Sequence, residues 1–231
     1  MVIDYSTFKE RCSFLGDRIA SACASCGRDS ASVKVLAVTK THPTKAALYA
    51  YEYGLWGAGE NRIQEAIPKI EACTKPLRWE LIGHLQRNKA KLAVRHFDRI
   101  QSVDSESLLS KIDTCAQAEG KRIPILLQVN AGKDPAKYGI SVEATPRLLE
   151  KALELEHVHV DGLMTIAPLS GSENVAEHTF ERLRLLQENL ERQFSCQLSE
   201  LSMGMSGDFE QAIRAGSTCI RVGSMLYGQR S

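Results

Sequence analysis

The segment Pro124-Ile-Leu-Leu-Gln-Val-Asn130 carries the decisive reading for the fold. Its apolar residues run together instead of alternating, as in a strand covered on both faces. Residues 105–119 before it read as a helix stopped by Gly120, and residues 142–155 after it read as mostly helical. Outward from this unit the same alternation continues in both directions. Strands are expected at 33–39, 55–58, 79–83, 99–103, 158–164, 200–203 and 218–222. Helices are expected at 44–53, ended by Gly54, at 61–73 with Ile63, Ala66, Ile67 and Ile70 on one face, and at 86–96 as a basic helix. Two more follow, at 176–194 with Phe180, Leu183, Leu186 and Leu190 inward, and at 209–215.

Eight strands, each alternating with a helix and each apolar throughout, define an α/β protein with a parallel sheet. Eight such units in about 200 residues match a single compact (β/α)8 TIM barrel. A doubly wound open sheet is the alternative. Ahead of the first strand, Phe8, Cys12, Leu15, Ile19, Ala22 and Cys23 form one apolar helical face. Thr7 and Glu10 suggest a capping box, and Gly27 closes the helix. This extra N-terminal helix, within 1–30, is expected to pack on the outside of the barrel. No linker, repeat or low-complexity tract interrupts the chain, so residues 1–231 read as one domain.

The 231 residues are 43% hydrophobic and 25% charged, ordinary values for a globular protein. With 29 basic and 28 acidic residues the net charge is +1, which argues against a protein devoted to nucleic acid or to anionic membrane. No apolar run is long enough to span a bilayer. The charges of Asp4, Lys9, Glu10 and Arg11 are unlike a signal peptide. Seven scattered cysteines fit reduced thiols in the cytoplasm better than a disulfide framework.

Lys40 ends the first strand, where barrel sites lie. On position alone it reads as an ordinary lysine leaving a strand or, if buried and neutral, as an amine able to form a Schiff base with an aldehyde. Gly204, Ser206 and Gly207 follow the seventh strand, and Arg221, Gly223 and Ser224 end the eighth. Small-residue loops after these two strands are the usual phosphate site of a barrel. Asn61 follows the second strand and reads first as a helix cap. His84 follows the third and reads as a structural or mouth-lining ring. Lys137-Tyr-Gly139 and Met164-Thr-Ile-Ala-Pro168 are expected at the rim. The Cys23-Ala-Ser-Cys26 pair lacks the further ligands of a zinc site and reads as core packing. His157 and His159 share a strand face without a third ligand, and Arg87, Lys89, Lys91 and Arg95 read as a solvated helix face.

Taken together, these segments resemble the pyridoxal phosphate homeostasis protein family, single-domain barrels related to the barrel domain of alanine racemase. The carrying motifs are AVTK ending at Lys40, GEN ending at Asn61, WELIGHLQRNK at 79–89, GLMTIAP at 162–168, LSMGMSGDFEQAI at 201–213 and GSTCIRVGSMLYGQR at 216–230. The resemblance implies that pyridoxal 5′-phosphate (PLP) is bound as a Schiff base on Lys40. It further implies that Ser206, Arg221, Val222, Gly223 and Ser224 hold the phosphate and ring, with Arg221 on one or the other. Asn61, His84, Met203 and Gly207 complete the expected cofactor-binding set. One departure is that Glu80 follows Trp79, where the family usually has histidine.

The implied role is intracellular PLP storage, buffering or delivery by a cytoplasmic monomer. PLP, related B6 vitamers and PLP-dependent apo-enzymes are its expected partners, and no robust enzymatic reaction is expected. Racemisation needs a second acid/base opposite the cofactor, and the sequence is expected to lack the second domain that carries it in racemases. Two alternatives remain. One is an amino-acid racemase using Tyr227 or His84 as that base. The other is a cofactor-free Schiff-base aldolase.

Overall fold

A computed structural model describes residues 3–168 and 173–228. Eight parallel strands close into a barrel in chain order. They are β1 (Lys34–Val38), β2 (Gly57–Glu60), β3 (Trp79–Leu81), β4 (Arg99–Val103), β5 (Ile123–Gln128), β6 (Val158–Met164), β7 (Glu200–Ser202) and β8 (Cys219–Val222). The barrel closes where Lys34 pairs with Cys219 and Ala37 with Val222. This is the TIM-barrel class expected, and the open-sheet alternative is set aside. Between the strands run α2 (Thr44–Tyr53), α3 (Ile63–Ala72), α4 (Ala90–His96), α5 (Glu106–Ala118), α6 (Thr145–Leu153), α7 (Glu173–Phe194) and α8 (Phe209–Arg214). The first helix, α1, is Tyr5–Ser25, and a short turn of helix, α9 (Ser224–Tyr227), follows β8. No helix among the described residues is long and apolar enough to cross a membrane.

The face Phe8, Cys12, Leu15, Ile19, Ala22 and Cys23 of α1 is buried. It packs with Ala37, Tyr49, Ile220, Val222 and Leu226, over the seam where β8 meets β1. Its cap is Asp4 and not Thr7: the Thr7 amide donates to the Asp4 carboxylate at 2.9 Å. The expected capping box is therefore displaced by an acid one turn earlier. Helix α2 ends as expected at Gly54 in the left-handed region. Strand β2 lies two residues later than the sequence suggests, and the basic helix begins only at Ala90 after a turn of 3-10 helix. On α3 the fully buried positions are Ile63, Ala66 and Lys69, with Ile67 and Ile70 only partly covered. A buried lysine on this face is explained by Glu60, whose carboxylate lies 2.7 Å from the Lys69 Nζ.

The largest departure concerns the barrel lumen. The strands are not apolar throughout. Their outward residues, such as Leu81, Ile100, Ile125 and Leu201, join the helices in the main core, but the lumen carries charge. Towards the N-terminal ends of the strands, Arg99 donates to Glu80 at 2.9 Å and to Glu200 at 2.7 Å, and Lys34 donates to Glu200 at 2.8 Å. A buried lumen accepts such groups because each ion is paired and hydrogen-bonded. Burial disfavours the Glu80 and Glu200 carboxylates, yet the Arg99 charge and the hydrogen bonds around them together outweigh it and hold both carboxyl groups below their ordinary range. Trp56 covers this end, donating its indole N–H to Glu80 beneath the cations of Lys34 and Arg78. Glu80 thus belongs to the closed end of the barrel. The open, C-terminal end of the strands is left for chemistry.

Candidate functional site

At that open end lies a cavity of about 530 Å3. Its polar wall includes Lys40, Asn61, Ser206, Gly207, Arg221, Gly223 and Ser224. Val38, Ile82, Ile166 and Met205 supply apolar surface. Seven of the ten residues expected at a cofactor site are therefore brought together from β1, β2, β7 and β8.

Lys40 lies two residues beyond β1, half-buried, and is followed by Thr41 at φ +66°. The turn is held from outside the barrel. The carbonyl of Thr39 accepts from the His42 amide at 3.0 Å and from the Lys69 ammonium at 2.9 Å. Asn61 is not the cap of α3; that position falls to Arg62, without a side-chain cap bond. Asn61 instead joins the cavity wall. The loop after β3 lies so close that a Cβ on Gly83 would stand 2.2 Å from the Asn61 carbonyl oxygen.

After β7 the chain turns through Gly204 at φ +93°, where a Cβ would also meet that of Ala212 at 2.6 Å. Only glycine takes this turn without strain. The Met205 amide donates to Asp208 at 2.6 Å, which fixes the loop and brings Ser206 and Gly207 to the cavity. Burial pushes the Asp208 carboxyl up. Gly223 and Ser224 lead into α9, and the amides of Ser224 and Met225 come before the first bond of that turn, from the Leu226 amide to the Gly223 carbonyl at 3.0 Å. The cavity wall here is thus small residues, a hydroxyl from each loop and backbone donors, the chemistry that takes a phosphate.

Arg221 sits deeper, on β8, and is 4% exposed. Its Nη1 donates to the Ser202 carbonyl and hydroxyl, each at 2.7 Å, and its Nη2 to the Thr165 carbonyl at 2.8 Å. Burial lowers its proton affinity relative to a free guanidinium. Held this way, it forms part of the cavity floor as a donor with a fixed pose.

Three expected residues lie elsewhere: Val222 is completely buried in the cluster beneath α1. Met203 is completely buried among the outward residues of the main core, because strand alternation turns its side chain from the lumen. His84 stacks on Tyr138 with ring centroids 3.9 Å apart and lies 3.8 Å from Asp104, outside the cavity wall. Sequence reasoning missed His42, Met205, Ile82 and Gly228. Only position near the motifs signalled them. Ile166, expected at the rim, does line the cavity. Cys23 is core and Cys26 caps α1, and no group of side chains among the described residues is arranged to hold a metal ion. Gln229 and Arg230, at the end of the last motif, lie outside the described residues.

Comparison with known proteins follows this geometry. The family model described as alanine racemase, N-terminal domain, matches residues 17–231. An alanine racemase from Clostridium difficile 630 has the same fold, with a TM-score of 0.80 at 13% identity, over 97% of this chain and 57% of that one. Fold and family model thus define the class: a barrel of the alanine racemase N-terminal type. Within it, a protein of Aquifex aeolicus (strain VF5) named pyridoxal phosphate homeostasis protein is 40% identical over 223 residues, 96% of this chain and 97% of its own. The structure of PipY from Synechococcus elongatus PCC7942 with PLP bound aligns with a TM-score of 0.81 at 39% identity, covering 91% of this chain and 100% of that one. The chain belongs to the family of pyridoxal phosphate homeostasis proteins.

Proposed function

We propose that this protein binds pyridoxal 5′-phosphate and serves PLP homeostasis by storing, buffering or delivering it. The observation that carries the reading is a single cavity walled by Lys40 from β1 and by the two small-residue loops after β7 and β8. A phosphorylated aldehyde with a flat ring needs an amine, an anion site and apolar walls. Lys40, then Ser206, Gly207, Gly223 and Ser224, then Val38, Ile82, Ile166 and Met205 supply these in turn. The Lys40 amine would add to the aldehyde carbon and release water, giving a Schiff base. Arg221, deeper than the phosphate loops, is assigned to the ring. A guanidinium there discourages protonation of the pyridine nitrogen, which weakens the electron sink that PLP enzymes use.

Two side chains that would supply a second acid/base do not face the cavity. The Tyr227 hydroxyl is buried and donates to the Ala46 carbonyl at 2.9 Å, and burial raises its pKa. His84 is occupied with Tyr138 and Asp104. This supports a binding protein over a racemase. The expected setting is the cytoplasm, with a monomer handing PLP or related vitamers to PLP-dependent apo-enzymes. The test is an absorbance spectrum of protein loaded with PLP, together with chiral chromatography of L-amino acids incubated with it. A yellow protein that leaves amino acids unracemised is expected. A colourless protein contradicts PLP binding and returns the cofactor-free aldolase, whereas racemisation contradicts the homeostasis role.

A further inference from the structure

A continuous line of hydrogen bonds runs down the barrel lumen from the cavity floor to its closed end. Arg221 Nη1 donates to the Ser202 hydroxyl at 2.7 Å. That hydroxyl donates to Gln101 Oε1 at 2.6 Å, and Gln101 Nε2 donates to Glu80 Oε2 at 2.5 Å. Ser202, Gln101 and Glu80 are completely buried, so no water replaces a lost member without rearrangement.

Every bond in this line points the same way, and one group sets the direction. Glu80 is surrounded by donors: Trp56 Nε1 at 3.0 Å, Arg78 Nε at 2.8 Å, Arg99 Nε at 2.9 Å and Gln101 Nε2. An ionised carboxylate only accepts, so it must face the NH2 end of the Gln101 amide. The carbonyl end of that amide then faces Ser202 and takes its hydroxyl proton. The Ser202 lone pairs are left for Arg221. With the amide reversed, Gln101 would donate to Ser202, whose buried hydroxyl proton would lose its acceptor and whose oxygen would have to share its lone pairs between Gln101 and Arg221.

We propose that Glu80 is a positioning residue for Arg221: through Gln101 and Ser202 it fixes the guanidinium that floors the cavity. The proposal deepens the reading of the cavity as a PLP site, and gives the closed end of the barrel a part in shaping the open end. Glu80 touches no ligand. Its carboxylate acts through three hydrogen bonds, and neutral acceptors alone then contact Arg221, which keeps the cationic donor directed at the floor.

The test uses the full chain labelled with 15N and pyridoxine 5′-phosphate, which has the phosphate and ring but no aldehyde. Two variants cut the line, Glu80→Gln by removing the charge and Gln101→Leu by removing the amide while leaving every charge in place. Glu200→Gln is the control. It removes a carboxylate that Arg99 contacts at 2.7 Å but lies outside the line. Both cutting variants are expected to shift the Arg221 side-chain resonances of ligand-free protein and to speed their exchange with solvent. They should also weaken pyridoxine 5′-phosphate about fivefold, the worth of one hydrogen bond. The control should do neither. Arg221 resonances unchanged in the cutting variants, or moved as far by Glu200→Gln, overturn the proposal. Gln101→Leu decides the matter alone if Glu80→Gln does not fold. Wild-type protein that binds no pyridoxine 5′-phosphate, with Arg221 still responding to Glu80→Gln, contradicts the cofactor reading and leaves the positioning role standing.

Discussion

The Lys69 ammonium lies 2.7 Å from the Glu60 carboxylate and 2.9 Å from the Thr39 carbonyl oxygen, so the peptide before Lys40 is tied to α3 by a buried ion pair. Glu60 Oε1 also accepts from the Thr39 hydroxyl at 2.6 Å, while its buried Oε2 has no hydrogen-bond partner among the described residues. Burial pushes the Glu60 carboxyl up despite Lys69. Lys69→Met would leave an uncompensated buried carboxylate, at a cost of about 3–5 kcal/mol. Urea denaturation should show that loss, and Glu60→Leu combined with Lys69→Met should recover part of it. Wild-type stability in Lys69→Met would mean the pair does not hold the turn.

The phosphate loops predict a loss at the ligand without a loss of fold. Ser206→Ala removes a hydroxyl from the cavity wall. A charge-assisted hydrogen bond of this kind is worth about 1.5–3 kcal/mol, roughly tenfold or more in PLP affinity. Equilibrium dialysis would measure it, with circular dichroism as the check on folding. Unchanged affinity would move the phosphate elsewhere.

Tyr227→Phe separates a structural tyrosine from a catalytic one. Its hydroxyl bonds to Ala46 and its ring stacks on Phe8, 5.3 Å between centroids. Loss of one buried hydrogen bond costs about 0.5–1.5 kcal/mol. Thermal denaturation should register this, while PLP affinity stays the same. A drop in affinity with stability retained would bring Tyr227 back to the site.

Acid should act on the closed end of the barrel. The folded Glu200 carboxyl sits below its ordinary 4.5: burial raises it, but the Arg99 charge and the hydrogen bonds from Arg99, Lys34 and Thr218 together outweigh that. A lowered carboxyl contributes stability that is present above the unfolded value and lost as pH falls through the folded one. Glu200→Gln is therefore expected to be less stable at neutral pH and to lose less on acidification than the wild type. Urea midpoints at a series of pH values would check this, and parallel acid limbs would contradict it.

Much of this architecture is legible in the sequence, because period and punctuation are local. The run at 124–130 and the stop at Gly54 appear as strand and helix end where expected. The lumen was less legible. Residues Glu80, Arg99, Gln101, Glu200 and Arg221 find their partners across strands far apart in the chain, and no spacing rule links them. The two small-residue loops that line the cavity could be read because each is a compact motif following a strand. Met203 was misplaced for a related reason: inside a glycine-serine motif, membership suggests the site, whereas strand parity turns the side chain to the core. Asn61 shows the opposite case: its place before a helix suggests a cap, the motif it belongs to suggests the site, and it lines the cavity.

The central claim is that Lys40 holds the aldehyde. Borohydride reduces a Schiff base to a stable secondary amine, so peptide mapping of reduced, PLP-loaded protein reads out the lysine directly. Pyridoxyl mass is expected on the peptide containing Lys40, with loss of the yellow band in Lys40→Ala and residual PLP still bound through Ser206, Gly223 and Ser224. Label on Lys137 or Lys89 instead, with Lys40→Ala still yellow, would contradict it.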